Sequence, residues 1–220
     1  MRKIGLFFGS FNPIHVGHLI IANAMLSNSP LDEVWFVVSP QNPMKERHTL
    51  LADHHRLEMV RRAVEDNYHL RACDVEFRLP IPSYTVLTLA HLGEHYRDKE
   101  FSIIMGSDNL DTFNRWRNYQ FILDNYDIYV YPRPNHDGGE FAHHPHVHLI
   151  DVPMMDISSS YIREQINKEF EKIEKRFQEI YNEIFKIKEE IKYLRIYMDE
   201  NFTSITEIFQ LYNDRISKIK

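Results

Sequence analysis

The sequence predicts an α/β protein with a doubly wound parallel sheet over residues 1–166, followed by an all-α extension over residues 167–220 that forms a coiled coil or a helical hairpin. Three observations carry this. Short apolar runs alternate with segments of helical spacing about 10 to 15 residues long, the pattern of parallel strands joined by right-handed crossovers. All seven glycines lie at or before Gly139, all ten prolines at or before Pro153 and all thirteen histidines at or before His148. Beyond them, apolar residues recur at alternating steps of four and three.

The elements follow in order. Lys3 to Phe8 is an apolar run stopped by Gly9, and Gly17 to Ser27 has helical spacing. Glu33 to Val38 reads as a strand stopped by Ser39-Pro40. Asp53 to Asp66 is helical, and Ser83 is placed to cap a helix running to about Arg97. Phe101 to Met105 and Asp127 to Tyr131 are buried strands. A sheet of this kind binds its ligands beyond the carboxyl ends of its strands.

Composition narrows the function classes. Of 220 residues, 43% are hydrophobic and 26% charged, which is globular usage. The net charge of −6 argues against a nucleic-acid partner, which needs a basic excess. That charge belongs to the first part, because the tail from Asn167 carries eleven basic and eleven acidic residues. The lone Cys73 suits a reducing compartment. No run approaches 18 apolar residues, and Met1-Arg2-Lys3 leads straight into a strand, so a soluble cytoplasmic protein without a membrane span is expected.

The turn after the first strand reads Gly9-Ser10-Phe11-Asn12-Pro13-Ile14-His15-Val16-Gly17-His18. Gly9 permits a sharp turn, and Gly17 permits close approach to the first turn of the next helix. His15 and His18, three apart, share one face near the positive end of that helix. Two imidazoles beside unpaired helix N–H groups make an anion site suited to a polyphosphate. A second such cluster, Ile157-Ser158-Ser159-Ser160-Tyr161-Ile162-Arg163, opens a helix with hydroxyl and N–H donors and adds a guanidinium fork. The run His143-His144-Pro145-His146-Val147-His148 lacks a carboxylate or cysteine partner in sequence, so it is not read as a metal site.

The first cluster resembles the H-x-G-H signature of the nucleotidyltransferase superfamily, and the second resembles that superfamily's other signature. Pro82-Ser83-Tyr84-Thr85, Gly106-Ser107-Asp108-Asn109-Leu110 with Phe113 and Trp116, and Arg133-Pro134 are similar in order and spacing to the bacterial nicotinate-nucleotide adenylyltransferases. The resemblance covers residues 1 to about 166. It implies a Rossmann-like fold and transfer of AMP from ATP to nicotinate mononucleotide, with Mg²⁺ accompanying the ATP. It also implies that His15, His18 and Arg163 act in catalysis. Gly9, Ser10, Phe11, Lys45, Gly106, Asp108, Ile157, Ser158, Ser159 and Ser160 join them at the ATP. Tyr84, Thr85, Trp116 and Arg133 hold the acceptor, Trp116 stacking on the pyridinium ring. Backbone donors with no opposing acid favour a carboxylate over a carboxamide on that ring. The alternatives are another acceptor, such as nicotinamide mononucleotide, or an assembly protein that carries the fold while its tail does the work. Beyond Arg163 the chain departs from the family, whose glycine- and proline-containing end is missing.

In the tail, Ile166, Phe170, Ile173, Phe177, Ile180, Ile184, Ile187, Ile191, Leu194 and Met198 form one heptad seam. With Ile166 at d, isoleucine fills both a and d positions, which disfavours a simple dimer, and Tyr181, Phe185, Tyr193, Ile196 and Tyr197 widen the apolar face, which also fits three or more packed helices. After Met198 the chain either continues as one helix through a stutter or turns near Asp199 to Thr203 into a second helix. A homo-oligomer, or a complex with a helical partner, is expected through residues beyond Ile166.

Overall fold

The computed structural model describes residues 1–40, 50–153 and 157–217. Six strands form one sheet in the order β3-β2-β1-β4-β5-β6, every pair parallel. They are β1 (Arg2–Gly9), β2 (Glu33–Val38), β3 (Leu70–Cys73), β4 (Lys99–Gly106), β5 (Ile128–Tyr131) and β6 (Val147–Leu149). The order reverses beside β1, so the crevice between the carboxyl ends of β1 and β4 is the topological switch point.

Strand alternation divides the core between the two faces of the sheet. Ile4, Leu6, Trp35, Val37, Ile103 and Val130 bury against Val86, Leu89 and Leu92 of α3 (Thr85–His95) and Ile122 and Leu123 of α5 (Tyr119–Asn125). On the other face, Phe7, Val34, Phe36, Val38, Ile104 and Tyr129 pack on Ile21, Ala22 and Met25 of α1 (Val16–Asn28) and on Leu57, Val60 and Val64 of α2 (Asp53–Val64). Because apolar side chains leave both faces, β2 and β4 read as continuous apolar runs rather than alternating ones.

Two strands escaped the sequence reading. β3 has four residues, one of them Arg71, and β6 has three, centred on His148; both are edges that find their partners only across the sheet. The cap of α3 is Tyr84 rather than Ser83, whose side chain turns inward and is buried. α4 (Ser107–Leu110) is one short turn after β4.

The chain divides into two compact units, Met1–Arg163 and Glu164–Lys220. The second unit carries most of α6 (Ser159–Ser217), which is helical through residues 199–203. The turn of the hairpin alternative is therefore absent, and the single continuous helix stands. Without glycine or proline nothing interrupts its i→i+4 ladder. Among the described residues no helix is long and apolar enough to cross a membrane.

Candidate active site

The turn from β1 into α1 is built around Phe11, a non-glycine residue with φ of +45°. Its ring is buried against Phe7, Phe36 and His18, which holds a backbone conformation that otherwise costs about 1–3 kcal/mol. A Cβ at Gly9 would meet that ring at 2.9–3.1 Å, so the turn needs glycine there.

His15 is the N-cap of α1, and His18 sits in its first turn. Their ring centroids are 3.8 Å apart. The backbone N–H of His15 donates to His18 Nδ1 at 3.2 Å, so the neutral His18 ring carries its proton on Nε2 and can donate from there. A Cβ at Gly17 would come within 3.0 Å of His15 Nδ1 and of Ile157, so glycine lets the two signatures meet. Burial and then the charge of Arg133 hold the His15 pKa below the usual imidazole value.

A cleft of about 40 Å³ runs between His15, Gly17, His18, Arg133 and Ile157. Arg133, expected with the acceptor residues, thus stands beside the histidines. His15 Nδ1, Arg133 Nε and Asp108 Oδ1 are all buried without hydrogen-bond partners, and the last two are 3.9 Å apart. Orphaned polar atoms of this kind are uncommon in folded proteins and mark places where a ligand supplies the missing partner. Gly106 ends β4 beneath them, where a Cβ would press on Arg133 and Tyr131.

The second signature meets this cleft through Ile157. Ser158 Oγ accepts from the Tyr161 N–H at 3.1 Å, and Ser159 Oγ donates to the Pro13 carbonyl at 2.9 Å. Arg163 donates from Nη1 to the Asn12 carbonyl at 2.6 Å and from Nη2 to Ser160 Oγ at 3.0 Å. Ser10 stands in the same turn, its carbonyl bound by Arg56. Lys45 lies outside the described residues.

A second cavity, about 270 Å³, adjoins the first through Tyr131 and is lined by Ser83, Tyr84, Thr85, Asn109, Trp116 and Arg117. Tyr84 is the N-cap of α3 and its carbonyl accepts from the Leu87 N–H at 2.9 Å, which leaves the N–H groups of Thr85 and Val86 as donors without intrahelical partners. Trp116 stands on buried Phe113, ring centroids 5.3 Å apart.

Three residues of the site were missed in the sequence. Glu76, 1% exposed, forms part of the wall of the larger cavity beside Tyr84, Thr85 and Trp116, where the sequence reading places no acid. Thr88 Oγ1 donates to its Oε1 at 2.9 Å. Burial pushes its pKa up, and the hydroxyls of Ser39, Thr88 and Ser83 offset part of that rise. Arg117 lies over the Tyr84 ring at 5.0 Å. Arg56 is fully buried and donates to the carbonyls of Ser39 and Leu51 as well as Ser10. An arginine on the apolar stripe of an amphipathic helix, four residues before Val60, was the available signal.

The carboxylate absent from the histidine run comes from elsewhere in the chain: Asp127 accepts from His146 Nδ1 at 3.0 Å and His148 Nε2 at 3.1 Å. These bonds outweigh burial and lower the Asp127 pKa.

The cytidylyltransferase-like family profile matches residues 6–165. A protein of Flavobacterium johnsoniae described as a probable nicotinate-nucleotide adenylyltransferase is 55% identical over 168 residues, 76% of this chain and 87% of that protein. One of Bacteroides fragilis with the same description is 46% identical over 164 residues, 74% of this chain and 82% of that protein. The Plasmodium falciparum nicotinic acid mononucleotide adenylyltransferase, solved in complex with NaAD, superposes with a TM-score of 0.63, covering 74% of this chain and 83% of that one. At 22% identity this last likeness bears on the fold alone. With a profile spanning most of the chain and relatives this close over most of their own length, the chain belongs to the cytidylyltransferase-like family and, within it, to the nicotinate-nucleotide adenylyltransferases.

Proposed function

We propose that the site transfers AMP from ATP to nicotinate mononucleotide, forming nicotinate adenine dinucleotide and pyrophosphate in NAD biosynthesis. The observation that carries this reading is the paired His15 and His18 at the head of α1, in a cleft where His15 Nδ1 and Arg133 Nε lack hydrogen-bond partners and can donate to an anion, next to a cavity containing Trp116. An oxygen of the acceptor's 5′-phosphate attacks the α-phosphorus of ATP. The bond from that phosphorus to the bridging oxygen breaks, and the pyrophosphate leaves with the electron pair. The nucleophile is already an anion, so catalysis reduces to positioning and charge stabilisation.

His18 donates from Nε2 to the α-phosphate, and His15 adds charge there when protonated. Gly9, Ser10, Phe11 and Gly106 shape the nucleotide's bed, with Asp108 facing its ribose. Arg163 and the donors at Ile157, Ser158, Ser159 and Ser160 hold the departing pyrophosphate. Arg133 lies on the phosphate side of the acceptor. Bound with ATP, Mg²⁺ would neutralise charge on its phosphates. Thr85 and its neighbours offer N–H groups to the nicotinate carboxylate, while Tyr84 and Trp116 flank the ring.

Glu76 favours a second reading for the same chemistry, with the amide mononucleotide as acceptor, because an acid in the wall disfavours a carboxylate whenever it is ionised. Steady-state assays of both acceptors with MgATP separate the two. His18→Ala is expected to lower kcat on the order of a hundredfold, the cost of one preorganised transition-state donor. Wild-type turnover in that variant would overturn the assignment. We also infer that copies of the chain, or a helical partner, associate through residues beyond Ile166.

A further inference from the structure

The strongest unexplained feature is the apolar face of α6. Phe170, Phe177 and Leu194 are 65%, 68% and 56% exposed, and every other seam residue from Ile166 to Met198 is also exposed. The seam runs for roughly 50 Å at 1.5 Å per residue, and an apolar strip of that length marks an interaction surface. It keeps heptad spacing, so its partner is a helix with the same period.

We propose that the occupant is a second copy of α6, paired antiparallel and centred on Asn182. This deepens the association inferred above by naming the partner and its direction. Two features of the sequence select it. The first is layer volume: centring on Asn182 sets Phe170 opposite Leu194, Phe177 opposite Ile187 and Ile180 opposite Ile184, so each phenylalanine meets an aliphatic residue. Parallel in-register pairing stacks Phe170 on Phe170 and Phe177 on Phe177. The second is charge at the flanking e and g positions. The antiparallel pair sets Arg176 against Glu190 and Glu174 against Lys188, each twice, with one like-charge contact where Glu183 meets its own copy across the two-fold axis. The parallel pair also makes four favourable contacts, through Glu183 with Lys188 and Glu190 with Arg195. It sets Glu169 against Glu174 twice. Isoleucine at both a and d, which disfavours a parallel dimer, sets no such limit when a faces d.

The test uses the full chain with Cys73→Ser as the background, so that a single introduced cysteine reports. Light scattering at micromolar concentration should give a mass of two chains or an even multiple. Tyr181→Cys lies beside its own copy near the antiparallel centre and should form a disulfide-linked dimer under mild oxidation. Ile187→Cys is about 15 Å along the axis from its copy in that arrangement and should not. In a parallel in-register coil the pattern reverses, because d positions face one another and e positions lie on opposite flanks. Ile180→Asp with Ile184→Asp should yield monomers while the adenylyl transfer activity stays, which shows that the catalytic unit is folded. A monomeric full chain, or cross-linking of Ile187→Cys without Tyr181→Cys, would overturn the proposal. Neither result bears on the reaction assigned above, which is read by product formation alone.

Discussion

Arg163 donates to the carbonyl oxygen of Asn12 at 2.6 Å across 151 residues of sequence, so the last residue of the second signature holds the middle of the first. The same guanidinium reaches Ser160 at 3.0 Å, so two bonds fix its plane. Arg163→Lys keeps the charge and loses the fork. It should raise KM for ATP and reduce kcat/KM by about 10- to 100-fold, the range of one or two charge-assisted hydrogen bonds. A KM and kcat equal to the parent's would show that charge alone suffices.

Arg56 does for the other side of the turn what Arg163 does for this one. Its guanidinium is fully buried, and removing it strands the carbonyls of Ser10, Ser39 and Leu51. Arg56→Leu should cost about 3–5 kcal/mol, the scale for breaking a buried charged network, and should shift the urea midpoint accordingly. A loss below about 1 kcal/mol would mean that water or relaxation satisfies those carbonyls.

His15 gives the site a proton linkage. Burial and Arg133 keep its pKa low in the free protein, and a polyphosphate beside it reverses that influence. ATP binding should therefore take up a proton between about pH 6 and 7, visible as a buffer-dependent heat in calorimetry, and His15→Gln should abolish it. The sign for stability is opposite. A depressed folded pKa contributes stability that is fully present above the unfolded value and lost as pH falls through the folded one, so the free protein should weaken toward acid.

Glu76 makes acceptor choice depend on pH. Burial raises its pKa, so it gains its proton at a higher pH than an ordinary carboxyl and stops repelling an acidic acceptor. The ratio of kcat/KM for nicotinate over nicotinamide mononucleotide should rise as pH falls from about 8 to 5. Glu76→Gln should flatten that profile while preserving the Thr88 hydrogen bond. A ratio constant with pH in the parent enzyme would remove Glu76 from specificity.

Local chemistry made much of this protein legible in one dimension. The runs Glu33–Val38 and Lys3–Phe8, the glycine-bounded His15-Val16-Gly17-His18 turn and the heptad seam of α6 each depend on near neighbours, because periodicity and caps act over a few residues. What only the tertiary structure decided involves partners far apart in the chain. The edge strands β3 and β6 are too short to carry a period and exist through their pairing with β2 and β5. Glu76, Arg56 and the Asp127 carboxylate drew no notice because their partners come from other elements, and for Glu76 and Arg56 burial near the carboxyl ends of the strands turns an ordinary acid or base into part of a site. Arg133 shows the same limit: its position in sequence beside the acceptor motifs says nothing of side-chain direction, and the crevice at the carboxyl ends of β1 and β4 places it by the histidines.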